Sequence, residues 1–305
     1  GAEEDVRDGD AVTVSGEAVR DERAPGGVEL HAQRVKVLSR AAEAMPVPIG
    51  KNKMNLSLDT DLSLRFVTLR NLRKRAVFKI QEGIVRGFRE ALQKEGFTEI
   101  HSPKIVAQNA EGGANLFRME YFGRRAYLAQ SPQFYKQMMV GVFDRVFEVA
   151  PVFRAEKHNT KRHLNEYTSV DFEMGYIENF EDIMAMEQEM LRYTFARLQE
   201  TCGAELSLLK AEVPVITEIP RIRFSEAKEL VSRVYKRAFS EKLDFEPEEE
   251  KLLCEYVKKT TGSDFVFVTH YPSAKRPFYA MDSRENPAVT ESFDLLFRGL
   301  EVTTG

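Results

Sequence analysis

The residues best suited to chemistry stand in two neighbouring strand-like segments and the loop between them. Val146-Phe147-Glu148-Val149-Ala150-Pro151-Val152-Phe153-Arg154-Ala155-Glu156 alternates so that Glu148 and Arg154 share one face. Asn165 to Glu173 alternates Tyr167, Ser169, Asp171 and Glu173 against Val170, Phe172 and Met174. The connecting run Lys157-His158-Asn159-Thr160-Lys161-Arg162-His163 is polar and basic. Two strands with one polar face each, joined by a cationic loop, make a platform for a polyanion such as a nucleoside triphosphate. Near the C-terminus, Asp294 and Glu301 are seven residues apart. That spacing shares a face on a helix but not on a regular strand. Gly299 and Val302-Thr303-Thr304 favour strand, so a bulge near Gly299, or a place for Asp294 behind Glu301, is required.

These groups need elements to position them, and apolar periodicity supplies a set. Ala11 to Val19 and Val28 to Leu38 read as the strands of a hairpin about the Ala24-Pro25-Gly26-Gly27 turn, too few to close a barrel. Met45-Pro46-Val47-Pro48-Ile49-Gly50 breaks regular structure and reads as a linker. Val77, Ile80, Ile84, Phe88 and Leu92 mark an amphipathic helix over Ala76 to Glu95, stopped by Gly96, and Phe180 to Thr201 reads as a second long helix. Phe265-Val266-Phe267-Val268 and Phe278-Tyr279-Ala280-Met281 read as strands. The expected architecture is α+β on an antiparallel sheet. Its divisions are a small β domain over 1–45, a linker over 46–70 and a large domain over 71–305, with an exposed helical insertion at about 205–262.

The bulk composition excludes more than it assigns. A chain of 305 residues, 43% hydrophobic and 30% charged, can bury a sizeable core. It contains no apolar run of membrane-spanning length. A net charge of −4 advertises no global affinity for nucleic acid, and Cys202 and Cys254 are too sparse for a zinc pattern or a disulfide framework. A cytoplasmic location is the expectation.

Taken in order, these segments resemble the class II aminoacyl-tRNA synthetases. Phe153-Arg154-Ala155-Glu156, the basic loop and Arg162-His163-Leu164-Asn165-Glu166 look like motif 2, in the form shared by the aspartate, asparagine and lysine enzymes. The resemblance implies that Arg154 meets the ATP α-phosphate and the substrate carboxylate, Glu156 the adenine amino group, and Arg162 with His163 the γ-phosphate. Leu164 would touch adenine through its backbone and Tyr167 would stack on its face. Gly96-Phe97-Thr98-Glu99-Ile100-His101-Ser102-Pro103-Lys104 resembles motif 1, which implies a homodimer.

Ala129-Gln130-Ser131-Pro132-Gln133-Phe134-Tyr135-Lys136-Gln137 resembles the aspartate-binding signature, which narrows the likeness to aspartyl-tRNA synthetases of the archaeal/eukaryotic type. Aspartate and asparagine have nearly the same shape, so such a pocket must read charge. A desolvated Lys136 favours a carboxylate over an amide, and Gln133 is assigned to aspartate with it. Ala110-Glu111-Gly112-Gly113-Ala114-Asn115-Leu116-Phe117 resembles a loop that closes over aspartate, with Glu111 and Asp171 on its ammonium. Ser292 to Gly305 resembles the strand whose carboxylates hold Mg²⁺, here Glu301 and Asp294, with Glu301 also in the ATP site. Thr304 stands where the family usually has a serine touching aspartate and metal.

The implied reaction is ATP-dependent activation of L-aspartate to aspartyl-adenylate and its transfer to the 3′ end of tRNA-Asp, on a class II catalytic domain preceded by a partial OB-fold β-barrel. In archaeal-type members the turn matching Ala24-Pro25-Gly26 tends to carry proline where tRNA-Asn is also charged. An amidotransferase partner would then be implied. The family pattern continues past Gly305 with a glutamine-arginine pair and the glycine-rich motif 3, so weak substrate binding is expected of residues 1–305 alone. Two other readings fit: an asparagine-activating member of the same fold, and an inactive relative that binds RNA or protein.

Overall fold

The computed structural model describes residues 5–108, 116–157 and 164–305, with the backbone alone at Pro25. It divides into two compact units, Gly1–Phe78 and Lys79–Gly305. The first holds a long hairpin of β1 (Ala11–Arg20) and β2 (Val28–Ser39), antiparallel and bulged between Ser15 and Gly16. Its turn is the short Pro25–Gly27 helical turn, where Gly26 and Gly27 take positive φ of 79° and 73°. Among the described residues, Leu30 and Leu38 of this hairpin are exposed. Two short helices follow, α1 (Leu58–Ser63), capped by the Ser57 hydroxyl on the Thr60 N–H, and α2 (Arg65–Thr68). Buried Asn71 donates to the Ile49 and Lys51 carbonyls, both at 2.8 Å, and so pins the proline-rich linker.

The second unit contains the chemistry. The helix expected over Ala76–Glu95 is α3 (Leu72–Lys94), and Gly96 ends it at φ 79°. It packs with α5 (Glu181–Thr201) on a sheet ordered β3-β7-β8, formed by β3 (Thr98–Glu99), β7 (Arg145–Phe153) and β8 (Glu166–Met174). Phe88, Ala91 and Leu92 from α3 meet Phe97, Phe147 and Met190 there. The two helices approach closely at Gly87, where a Cβ would lie 2.9 Å from the Thr194 backbone. Beside them stand a three-stranded sheet, β4 (Ile105–Val106), β5 (Arg118–Tyr121) and β6 (Arg124–Leu128), and the helix α4 (Gln133–Phe143).

A four-stranded sheet completes the unit, ordered β12-β11-β10-β9. Its strands are β9 (Arg221–Arg223), β10 (Phe265–Thr269), β11 (Phe293–Phe297) and β12 (Leu300–Thr304). The uninterrupted apolar run of β10 is explained by cover on both faces. Phe265 and Phe267 pack with Met184 of α5, while Val266 and Val268 pack under α7 (Phe224–Tyr235) and α8 (Pro247–Thr261). After α5 comes the short α6 (Gly203–Leu209). The fold is α+β as expected, and β3–β7 and β9–β10 are parallel pairs within it. No helix among the described residues is long and apolar enough to cross a membrane.

Two expectations are corrected. Phe278–Met281 forms turns rather than a strand, because Phe278 and Met281 face solvent and β10 is already paired with β9 and β11. The stretch near 205–262 is not an exposed insertion, since Phe224, Ala227, Val231, Leu253, Cys254 and Val257 build the core over β10. Acidic composition hid this, because Glu249 is wholly buried against Lys228 at 2.6 Å. Lys228 also donates to the Glu241 and Asp244 carbonyls and lies 5.5–5.9 Å from the rings of Phe224, Phe239 and Phe245. Removing it strands a buried carboxylate. Lys228→Met should lower stability in urea denaturation by about 3 kcal/mol, and the further change Glu249→Gln should recover most of that loss.

Candidate active site

One end of the site is built where α4 meets β8. Pro132 opens the helix, the Ser131 hydroxyl accepts from the Gln133 N–H, and Lys136 follows one turn in, turned toward the sheet. On β8 the period of two brings Tyr167, Ser169, Asp171 and Glu173 to one face. Lys136 Nζ lies 3.1 Å from Asp171 and 3.5 Å from Glu173, and Gln133 Nε2 is 3.3 Å from Glu173. The Ser169 hydroxyl donates to the other oxygen of Asp171. Burial opposes the charge on Lys136, but the two carboxylates outweigh it and hold the ammonium above the usual lysine range. One cation between two anions leaves a net negative pocket with a fixed positive point inside, which suits a ligand carrying both an ammonium and a carboxylate.

Arg154 lies just beyond β7, held by its N–H to the Asn165 carbonyl at 3.0 Å. Its guanidinium stands 5.7 Å from the Tyr167 ring, and its Nε is buried with no hydrogen-bond partner among the described residues. Tyr167 and Asp171 are four positions apart, about 13 Å along a strand, so an aromatic-cationic end and an acidic end around Lys136 share one face. Glu156 is partly buried near Arg154 and Leu164 is exposed. Glu111, Arg162 and His163, with most of the glycine-containing loop and most of the basic loop, fall outside the described residues.

Sequence pattern alone assigns no role to Glu148, which is fully buried on this same face, across from Asp171. It accepts from the Ser102 N–H and hydroxyl at 2.5 and 2.7 Å and pairs with Lys104 at 2.8 Å. It thereby fastens the segment after β3 to the floor of the site. Its partners are more than forty residues away, so strand alternation marks its face but not its task.

Asp294 and Glu301 come together through a hairpin as well as the expected bulge. They stand on separate strands, joined by a two-residue turn in which Arg298 and Gly299 have φ of 49° and 87°. Asp294 pairs with Thr304, and a register shift lies between Leu295 and Leu296. The shift skips Val302, so the bulge is on β12, near Gly299 as one of the two expected routes has it, and no place for Asp294 behind Glu301 is needed. The Thr304 hydroxyl lies 2.9 Å from both carboxylates and can donate its one proton to either. Burial raises Asp294 above the usual carboxylate range despite Arg276 beside it. Glu301 keeps an open side to solvent, yet crowding by the surrounding chain and the Asp294 charge push it up to about 7. Among the described residues no larger metal cluster forms. Two hard carboxylates and a hydroxyl, short of positive charge, fit a Mg²⁺ ion that keeps waters and binds phosphate.

Glu187 of α5 lies behind β12 and accepts from the Thr303 hydroxyl at 2.5 Å. Burial first, then the charge of Asp294, raises its carboxyl to about 7. A raised acid holds its proton longer when folded, so stability falls as pH rises from about 4.5 to about 7 and is level above that. Glu187→Gln should remove this fall, stabilising the protein above pH 7 by up to about 3 kcal/mol and leaving it unchanged below pH 4. Thermal melts of both proteins across that range check the slope.

The family model for class II tRNA synthetases of the D, K and N type matches residues 57–305. The aspartate–tRNA(Asp/Asn) ligase of Deinococcus radiodurans is 52% identical over 97% of this chain and 69% of its own length. The aspartate–tRNA(Asp) ligase of Pyrococcus horikoshii is 43% identical over 97% of this chain and 68% of its own. Among solved structures, asparaginyl-tRNA synthetase from Pyrococcus horikoshii complexed with asparaginyl-adenylate aligns at a TM-score of 0.83 and 30% identity. That alignment covers 96% of this chain and 66% of the other.

Proposed function

Because the chain belongs to the class II tRNA synthetases of the aspartate, lysine and asparagine group, we propose that it joins L-aspartate to ATP as aspartyl-adenylate and passes the aspartyl group to the 3′ end of tRNA. The observation that carries the reading is buried Lys136, held between Asp171 and Glu173. Lys136 reads the side-chain carboxylate of aspartate, Asp171 receives its ammonium with Glu111, and Gln133 orients Glu173. Arg154 directs its unpartnered Nε to the substrate carboxylate and the α-phosphate. Tyr167 lies under adenine, Glu156 and Leu164 border it, and Arg162 and His163 take the γ-phosphate.

The activation step needs no general base, since the attacking α-carboxylate is ionised at neutral pH. Its oxygen bonds to the α-phosphorus while the bond to pyrophosphate breaks. The work of the protein is alignment and charge compensation, supplied by Arg154 at the α-phosphate. Mg²⁺, when held by Glu301 and Asp294 with Thr304, supplies further positive charge to the phosphates. In the second step a ribose hydroxyl of the tRNA attacks the activated carbonyl and adenylate leaves.

The hairpin of β1 and β2 is assigned to an OB-fold that reads the anticodon, with 46–70 as linker. Pro25 and the Asp/Asn name of the Deinococcus relative favour charging of tRNA-Asn as well as tRNA-Asp, with an amidotransferase partner to convert the misacylated product. A cytoplasmic homodimer is part of the same reading. Its support is the motif 1 segment and the exposed stripe of Phe134, Met138 and Val142 on α4.

Pyrophosphate exchange by the protein with aspartate, asparagine and lysine in turn tests the core of this reading. Exchange is expected with aspartate; exchange with asparagine alone would overturn it. Lys136→Met should cut kcat/KM for aspartate by about a hundredfold or more, with a much smaller effect on the KM for ATP.

A further inference from the structure

Arg276 is the cation seated against the Asp294–Glu301 pair among the described residues. Its Nη2 lies 2.8 Å from Asp294 Oδ2, and the two side chains are only 11% and 6% exposed. The guanidinium sits 3.9 Å from the centre of the Tyr271 ring, and the Tyr271 hydroxyl bonds to the same Asp294. Two features set this apart from an ordinary buried ion pair. Arg276 Nε and Nη2 are buried without a well-aligned hydrogen bond, so the contact with Asp294 is one of charge rather than of the usual two-pronged fork. Asp294 also shares the Thr304 hydroxyl with Glu301. Whatever neutralises Asp294 therefore sets how much negative charge the pair presents.

We propose that Arg276 is a positioning residue for the divalent cation: as the resident positive charge on Asp294, it leaves Glu301 as the carboxylate offered to the ion. The inference rests on the Mg²⁺ reading above. Without Arg276, two adjacent acids would draw a dication by charge alone and let it settle anywhere along the pair. With Arg276 one charge is already matched. The ion then depends on Glu301 and on the phosphates it arrives with, so the protein free of nucleotide holds bare cations weakly and the metal enters with ATP.

Mn²⁺ titrations followed by electron paramagnetic resonance of the free ion read this without turnover. Without ATP, Arg276→Met should tighten Mn²⁺ binding about tenfold, and Asp294→Asn should weaken it by about as much, since Arg276 is then left unmatched beside Glu301. The double variant R276M/D294N should return to within about threefold of the parent. Arg276→Lys keeps the charge and should stay near the parent. The double variant, with both charges gone, and R276K also keep the test readable if R276M alone fails to fold. Loss of binding in both R276M and D294N, with no recovery in the double variant, would overturn the inference while leaving the Glu301 site standing. A parent protein that binds no Mn²⁺ with or without ATP would overturn both.

Discussion

An ammonium placed inside a protein costs several kcal/mol unless opposite charges meet it, and Lys136 is met twice, by Asp171 and by Glu173. Both acids sit on β8, so the burial of Lys136 is only as secure as the register of β8 on β7. A slip of one residue would turn Tyr167, Asp171 and Glu173 to the other face. Apolar packing on that other face prevents it. Phe147 and Phe172 are cross-strand partners there, Phe147 meeting Phe88 edge-on at 5.8 Å and Phe172 meeting Phe97 at the same distance. The polar face is held in place by the aromatic one.

The same helix that closes this core reaches the carboxylate pair. Leu191 of α5 packs against both the β7–β8 core and the β10–β11 core, Met184 lies under β10, and Glu187 grips Thr303 on β12. A single rigid element therefore backs both the β7–β8 strand pair and the hairpin that carries Asp294 and Glu301. The cost is a buried Glu187 carboxyl that the Thr303 hydroxyl compensates only in part, and its raised pKa records that cost. Catalysis by alignment asks for such stiffness, since reacting groups must be placed to within a fraction of an ångström.

The elements with strong period are legible in the amino-acid sequence. Helices α3 and α5 and the β7–β8 pair stand close to where apolar spacing puts them, because each buries one continuous stripe or face. What is not legible depends on partners distant in sequence. Phe278 and Met281 look like a strand, yet β10 has no free edge for them. Glu249 and Glu250 read as solvent-facing, yet they are buried, Glu249 against Lys228 twenty-one residues earlier. In the site, strand alternation and spacing mark Arg154 and the two C-terminal acids, whereas Lys136 is marked only by the resemblance of its segment to the family signature. Glu148, Arg276 and Glu187 escape notice because each acts on a group that the fold alone brings near.

The fold cannot by itself choose the amino acid, for an asparaginyl enzyme superposes on this chain at a TM-score of 0.83. Under the proposed reading, the choice lies in charges at the Lys136 end. Aspartate brings three charges, and under the proposed reading each has a counterpart: the ammonium Asp171, the α-carboxylate Arg154, the side chain Lys136. Asparagine brings two. Its amide leaves Lys136 with the partners it already has, Asp171 and Glu173, so it is not repelled by an abandoned cation. Its amide N–H₂ and the ammonium are both donors, however, and only its carbonyl oxygen can accept, through a bond in which the lysine alone is charged and which is weaker than an ammonium–carboxylate pair. Selection therefore rests on what the carboxylate gains, and it fades if Glu173 holds Lys136 too tightly. The longer 3.5 Å contact to Glu173, beside 3.1 Å to Asp171, leaves the ammonium room to turn toward a substrate.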